Sequence, residues 1–216
     1  MNRILINKWA KVFVFVLCLV PLAIIIGEGP SGWGANPTQF LEHATGDWIL
    51  RFLAITLAVS PLRKLFGLTQ LIRFRRMLGL FAFFYAFLHF SLYLGLDQVL
   101  DFRGVWADVV KRPYITVGFT GFVLMIPLAI TSTAGMVRRL GYRRWQMLHR
   151  AIYVSAVAGV IHFYWLVKSD VHLPLLYAVI MAVLLGWRLF AWFSDRGRRP
   201  ARGAPARKEP VTVAAR

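Results

Sequence analysis

Six apolar runs, separated by short charged segments, constrain this chain more than any other feature. Their cores lie at 10–26, 48–62, 77–96, 114–131, 149–167 and 173–193. Runs of about 17–25 apolar residues are long enough to cross the hydrocarbon layer of a bilayer as helices. A strand with an open edge in lipid would leave its backbone N–H and C=O groups without partners. The sequence therefore predicts an all-α, polytopic membrane protein, a bundle of six transmembrane helices. Composition agrees. Of 216 residues, 58% are hydrophobic and the mean hydropathy is +0.60, more apolar surface than a soluble domain of this length can bury.

The net charge of +17 narrows the partners. Arg63, Lys64, Arg73, Arg75 and Arg76 lie between runs two and three, and Arg138, Arg139, Arg143 and Arg144 between runs four and five. A further cluster of arginines follows run six. The alternate segments differ. The first holds Glu28, Glu42 and Asp47 with no lysine or arginine. The next mixes Asp97, Asp101 and Asp108 with Arg103, Lys111 and Arg112, and the last is short, with Lys168 and Asp170. This alternation is the positive-inside pattern and puts both termini in the cytoplasm. It points to a lipid bilayer as the partner of the basic residues and excludes nucleic acid. Arg3, Lys8 and Lys11 at the first run resemble a secretory leader, but no A-x-A site follows, so an uncleaved anchor is expected. Residues 1–195 read as one transmembrane domain, and 196–216, rich in Pro, Ala and Arg, as a disordered basic cytoplasmic tail.

One cysteine, Cys18, excludes an intramolecular disulfide and a cysteine-based metal cluster. Chemistry has to come from the histidines. Of five, His43 and His172 fall in or near outer loops, whereas His89, His149 and His162 lie in or at the end of runs three and five. Polar groups inside a membrane are expensive and mark function by default. Run three starts near Arg76 and reaches His89 after thirteen residues; run five starts near His149 and reaches His162 after thirteen. At ~1.5 Å per residue both lie ~20 Å above those starts, on one level in the outer half of the bilayer. Two neutral imidazoles facing each other across a bundle can supply both axial ligands of a haem iron, placing a haem between helices three and five.

His149 would sit one layer lower, at the cytoplasmic surface. Thirteen residues turn an ideal helix ~220° from one face, so His149 and His162 share a face only if the helix is irregular. No histidine on run three answers His149 at that level; Arg75 and Arg76 stand there instead. Arg51, inside run two, either snorkels to the interface or pairs with a haem propionate. Gly79, Gly118, Gly121 and Gly159 permit close approach of helices or of a porphyrin. Phe163, Tyr164 and Trp165 read as an interfacial aromatic belt.

RRMLGLFAFFYAFLH, KRPYITVGFTG, TSTAGMVRRLGYRRWQMLHRAIYV and HFYW together resemble the MsrQ family. These are haem-binding membrane subunits of the bacterial periplasmic methionine sulfoxide reductase system, within the ferric-reductase-like transmembrane superfamily. The match runs over about 7–193. The resemblance implies a six-helix inner-membrane cytochrome with b-type haem, iron-binding histidines at His89, His149 and His162, and use of FMN. It implies electrons arriving from a cytosolic flavin reductase and leaving to MsrP, the periplasmic molybdopterin subunit that reduces methionine sulfoxide during protein repair. Related ferric reductases carry two histidines on each of two helices and a fused flavin/nicotinamide domain. Here the fourth histidine is missing, so the number of haems stays open. No dinucleotide motif is present, so a separate donor is expected. On this reading the chain is an electron-transfer subunit without a substrate-reducing site of its own. A metal reductase of the same superfamily and a haem-free transporter or scaffold are the alternatives.

Overall fold

The computed structural model describes residues 8–167 and 170–197, and all regular structure among these residues is helical. The α-helices in order are α1 (Lys8–Gly27), α2 (Gly29–Gly32), α3 (Pro37–Phe66), α4 (Arg75–Leu92), α5 (Phe102–Lys111), α6 (Pro113–Ile130), α7 (Ala134–Leu140), α8 (Tyr142–Leu148), α9 (Ala151–Leu166) and α10 (His172–Gly197). A 3₁₀ turn, Thr69–Arg73, leads into α4, and a π turn, Tyr93–Asp97, ends it. The N-terminal seven residues, 168–169 and 198–216 lie outside the described residues, and with them Arg3, Lys168 and nearly all of the segment expected as a tail.

Among the described residues, four helices are long and apolar enough to cross a membrane: Lys8–Gly27, Arg75–Asp97, Pro113–Ile130 and His172–Ser194. The helices matching runs two and five are not among them. α3 sets Asp47 and Arg51 into its apolar stretch, and α9 is 16 residues long. The outward faces are apolar, as lipid requires: Phe13, Val16, Val183 and Phe190 are all exposed on α1 and α10.

Three boundaries differ from the sequence reading. The first outer segment is not all loop. α3 begins at Pro37, because Asn36 caps it through Oδ1, which accepts from Gln39 N at 3.1 Å, and proline suits the first helical turn. Glu42 and Asp47 are therefore helical. The helix ends at Gly67, whose φ of 67° is the left-handed conformation a C-terminal cap needs. Run five is broken: α8 closes at His149 and α9 opens after Arg150, so His149 and His162 are not on one continuous helix. The segment between runs three and four folds into α5, which buries Val105 and Val109 and exposes Phe102, Trp106 and Val110.

Two helix pairs organise the core. α3 packs most extensively on α4, and α6 on α9; the two pairs touch each other far less. α1 leans on α3 and α4, while α10 packs on α3 and α9. Prolines inside the helices create the polar seams that stitch these layers together. Beside Pro21 of α1, the fully buried Tyr85 inserts its hydroxyl, accepting from Leu22 N at 3.1 Å and donating to Cys18 O at 3.0 Å. Pro61 of α3 has no N–H for the carbonyl one turn back, Leu57 O. Arg188 of α10 donates to that carbonyl from Nη2 at 2.9 Å and to Tyr153 Oη of α9 from Nη1 at 3.0 Å.

Candidate functional site

His89 lies in the last turn of α4 and His162 in the fourth turn of α9, and the bundle brings the two rings together. Their centroids are 6.2 Å apart and their planes make an angle of 84°. The level inferred from counting thirteen residues along each run is the level found. Each ring is anchored by a backbone carbonyl of the neighbouring helix in its own pair. His89 Nδ1 donates to Glu42 O at 3.0 Å, with Thr45 Oγ1 at 3.3 Å; His162 Nδ1 donates to Tyr114 O at 2.7 Å. A carbonyl can only accept, so both imidazoles carry their proton on Nδ1 and present Nε2 as a lone pair.

Glycine makes the His162 anchor reachable. Gly118 lies one turn after Tyr114, and a Cβ there would stand 2.6 Å from His162 Nδ1 and 2.8 Å from Cγ. Gly46 lies one turn after Glu42, where a Cβ would meet His89 Cε1 at 3.5 Å. On both sides a carbonyl at position i takes the ring N–H and a glycine stands at i+4, but only at Gly118 does the ring need the space. Of the small residues singled out in the sequence, Gly118 is the one the site cannot do without. A Cβ at Gly159 would meet Leu50 at 3.1 Å, one at Gly121 would meet Ala158 at 3.3 Å, and one at Gly79 would only make ordinary contact with Thr56.

A cavity of about 260 Å³ opens at the two rings, walled by Leu50, Leu53, Phe90, Phe119, Phe122 and Met125. Its mouth is polar, with Glu42, His43, Asp47, Asp97 and Arg112. Glu42 Oε1 is buried there without a hydrogen-bond partner. The donor set fits a metal held between two imidazoles. Two metal–nitrogen bonds of about 2.0–2.1 Å, with about 1.1 Å from each nitrogen to its ring centre, span roughly 6.2 Å. Flat apolar walls beside the rings suit a porphyrin.

The structure does not bring His149 or Arg51 into this cavity. His149 caps α8, where its ring lies 4.0 Å from that of Trp145 and Nε2 is 3.0 Å from Thr131 Oγ1 at the end of α6. Trp145 Nε1 donates to Thr131 O at 2.9 Å, so both rings close α8 onto α6. Burial first, and then the charges of Arg76 and Arg75, hold the His149 pKa below the ordinary histidine value. Arg51 spans to α10, donating from Nε to Tyr177 Oη at 3.1 Å; it pairs with Asp47 at 3.5 Å and lies over the Trp48 ring at 4.6 Å. It borders a second pocket, with Pro21, Ile25 and Trp48. Sequence reading missed the carbonyls of Glu42 and Tyr114, Gly46 and the mouth residue Arg112. Backbone acceptors carry no residue signature; the usable signal was the glycine one turn beyond each.

Residues 44–160 match the family described as ferric reductase like transmembrane component. Curated relatives cover nearly the whole chain. A protein of Xanthomonas oryzae pv. oryzae (strain MAFF 311018) is 49% identical over 93% of this chain and 95% of its own. One of Ralstonia nicotianae is 51% identical over 88% of each, and one of Herminiimonas arsenicoxydans is 52% identical over 88% of this chain and 89% of its own. Each relative bears the name protein-methionine-sulfoxide reductase heme-binding subunit MsrQ.

Proposed function

The chain belongs to the MsrQ family of haem-binding subunits, within the ferric-reductase-like transmembrane family, and from that premise we propose that it is a transmembrane electron conduit. In this reading six helices, α1, α3, α4, α6, α9 and α10, cross the bacterial inner membrane with both termini in the cytoplasm. Electrons come from a cytosolic flavin reductase and leave to MsrP, the periplasmic molybdopterin subunit, in the repair of oxidised methionine. The observation that carries the reading is the His89–His162 pair: two imidazoles 6.2 Å apart, both with Nδ1 tied to a carbonyl.

A b-type haem, when bound, supplies a one-electron carrier. The chain's residues do the rest. His89 and His162 would hold its iron through Nε2, and the carbonyls of Glu42 and Tyr114 fix tautomer and ring orientation, as outer-shell partners of metal-bound histidines do. The phenylalanines of α4 and α6 exclude water: Phe90 and Phe122 stack at 5.0 Å, and Phe83 and Phe122 at 6.0 Å. His149, with Arg75 and Arg76, belongs to the cytoplasmic entry side, where a flavin donor would dock. The family resemblance also implies FMN, and the basic residues of that side are the candidates to bind its phosphate.

The test is a spectrum. Purified protein should show a Soret band that sharpens on dithionite reduction, and His89→Ala and His162→Ala should each lose most of their haem. A wild-type protein without visible absorption would refute the reading, as would either variant keeping full haem with an unchanged low-spin spectrum.

A further inference from the structure

Among the residues that line the histidine cavity, Arg112 is the one lysine or arginine; the carboxylates there are Glu42, Asp47 and Asp97. A haem brings two carboxylates of its own, and a site with three acidic neighbours disfavours them unless a cation is placed at the mouth. We propose that Arg112 is that cation, the residue that binds the haem propionates, and that Asp108, Tyr93 and Gln98 hold it in position. The proposal rests on the haem reading above.

The guanidinium is oriented from behind. Arg112 Nε pairs with Asp108 Oδ1 at 3.1 Å. The other oxygen of Asp108 accepts from Tyr93 Oη at 2.9 Å and from Gln98 Nε2 at 3.0 Å. Asp108 is thus fully engaged and mostly buried, with its side chain 15% exposed, while that of Arg112 is 52% exposed at the mouth. Arg112 Nη1 makes one long contact, 3.4 Å to Tyr114 Oη, and no described residue accepts from Nη2. A fork held on one edge and open on the other is arranged to grip a carboxylate.

The backbone that presents these partners is unusual in the same place. Tyr93 and Gln98 flank the π turn that follows His89, and such turns concentrate at functional sites. Directly after it, Val99 and Leu100 take φ of 48° and 62°, a left-handed conformation that a β-branched residue rarely adopts. Gly104 makes room for Gln98: a Cβ there would lie 2.6 Å from its Oε1. On the other side Arg112 precedes Pro113, the first residue of α6, and stands two residues before the carbonyl that anchors His162. Arg112, Tyr114 and Gly118 would then handle one ligand from one helix end: its carboxylates, its axial histidine's tautomer, and the space for that histidine. Arg51 has its guanidinium engaged by Asp47, Tyr177 and the Trp48 ring outside the cavity.

The experiment compares purified wild type, Arg112→Gln, Arg112→Lys, Arg51→Gln, Asp108→Asn and His89→Ala. It reads haem per protein, the rate of haem transfer to excess apomyoglobin, and the midpoint potential. Arg112→Gln should keep the low-spin spectrum but release haem about tenfold faster. It should also lower the reduced-to-oxidised ratio at fixed potential about tenfold, ~59 mV for a one-electron couple. Arg112→Lys should restore most of the potential but less of the retention, and Asp108→Asn, which keeps the cation but frees it from its partner, should speed haem release in the Gln direction without the fall in potential. Wild-type retention and potential in Arg112→Gln, with haem lost in His89→Ala, would overturn the proposal and leave the haem reading standing. The same changes in Arg51→Gln alone would overturn it in favour of Arg51. If Arg112→Gln does not accumulate, Asp108→Asn decides, and wild-type retention there would overturn the proposal. Absence of haem from wild type would instead sink the haem reading itself.

Discussion

Gly118→Ala is the most economical perturbation of the site, because one methyl meets one ring, that of the proposed ligand His162. The added Cβ would stand 2.6 Å from His162 Nδ1, 2.8 Å from Cγ and 3.0 Å from Cε1. Ordinary contact begins near 3.4 Å, so the ring must retreat by roughly 0.8 Å or the helices must part. Retreat breaks the 2.7 Å bond from Nδ1 to Tyr114 O, which fixes the tautomer. Losing a buried hydrogen bond and leaving its partner unsatisfied costs about 1–3 kcal/mol. At about 1.4 kcal/mol per decade, that is roughly a 5- to 150-fold loss in the ligand's hold on the iron. Gly46→Ala is the internal control, since its Cβ would meet His89 at 3.5 Å, an ordinary contact. The assay is haem per protein with the low-spin fraction by electron paramagnetic resonance. Gly118→Ala should shift low-spin signal to high-spin or lose haem, while Gly46→Ala stays near wild type. Unchanged spectra in Gly118→Ala, or a larger loss in Gly46→Ala, would refute the clamp.

Two further outcomes follow from the polar seams. Arg188→Leu leaves Leu57 O unpaired opposite Pro61 and should cost about 1–3 kcal/mol. In a Pro61→Ala background residue 61 regains an N–H for that carbonyl, so the same replacement should cost less, and additive losses in detergent thermal melts would contradict the pairing. His149→Ala should keep the haem held by His89 and His162 but slow its reduction by flavin reductase; haem and rate both unchanged would make His149 a purely structural contact of Trp145 and Thr131.

The parts of this protein that depend on composition and counting were legible in the sequence. Apolar length gives the helices, and the thirteen-residue count gives a shared level for His89 and His162 because the rise of a helix does not depend on its neighbours. Rotation about the helix axis is another matter. A helix that is apolar all round has no polar face to fix its phase. The sequence points to Arg51 as the propionate candidate and leaves Arg112 among the loop charges, and only packing shows that Arg51 faces Tyr177 while Arg112 lines the cavity. The break between α8 and α9 was visible only as a phase conflict, thirteen residues where fourteen would align. Its cause is tertiary: Trp145 and His149 both dock on Thr131 and stop the helix there.

The two-pair architecture explains why the histidines can be oriented before anything lies between them. His89 rides on α4 and is clamped by α3; His162 rides on α9 and is clamped by α6. Each clamp is internal to a tightly packed pair, so each ring direction survives small shifts of one pair against the other. Contact between the pairs is sparse and runs through the aromatic seam of Phe83, Phe90, Phe119 and Phe122. The distance between the rings is thus the softest coordinate of the site, while their tautomers and aim are the stiffest. A metal centre needs that division, because ligand direction and proton position must be set in advance, whereas bond length is adjusted by the metal itself.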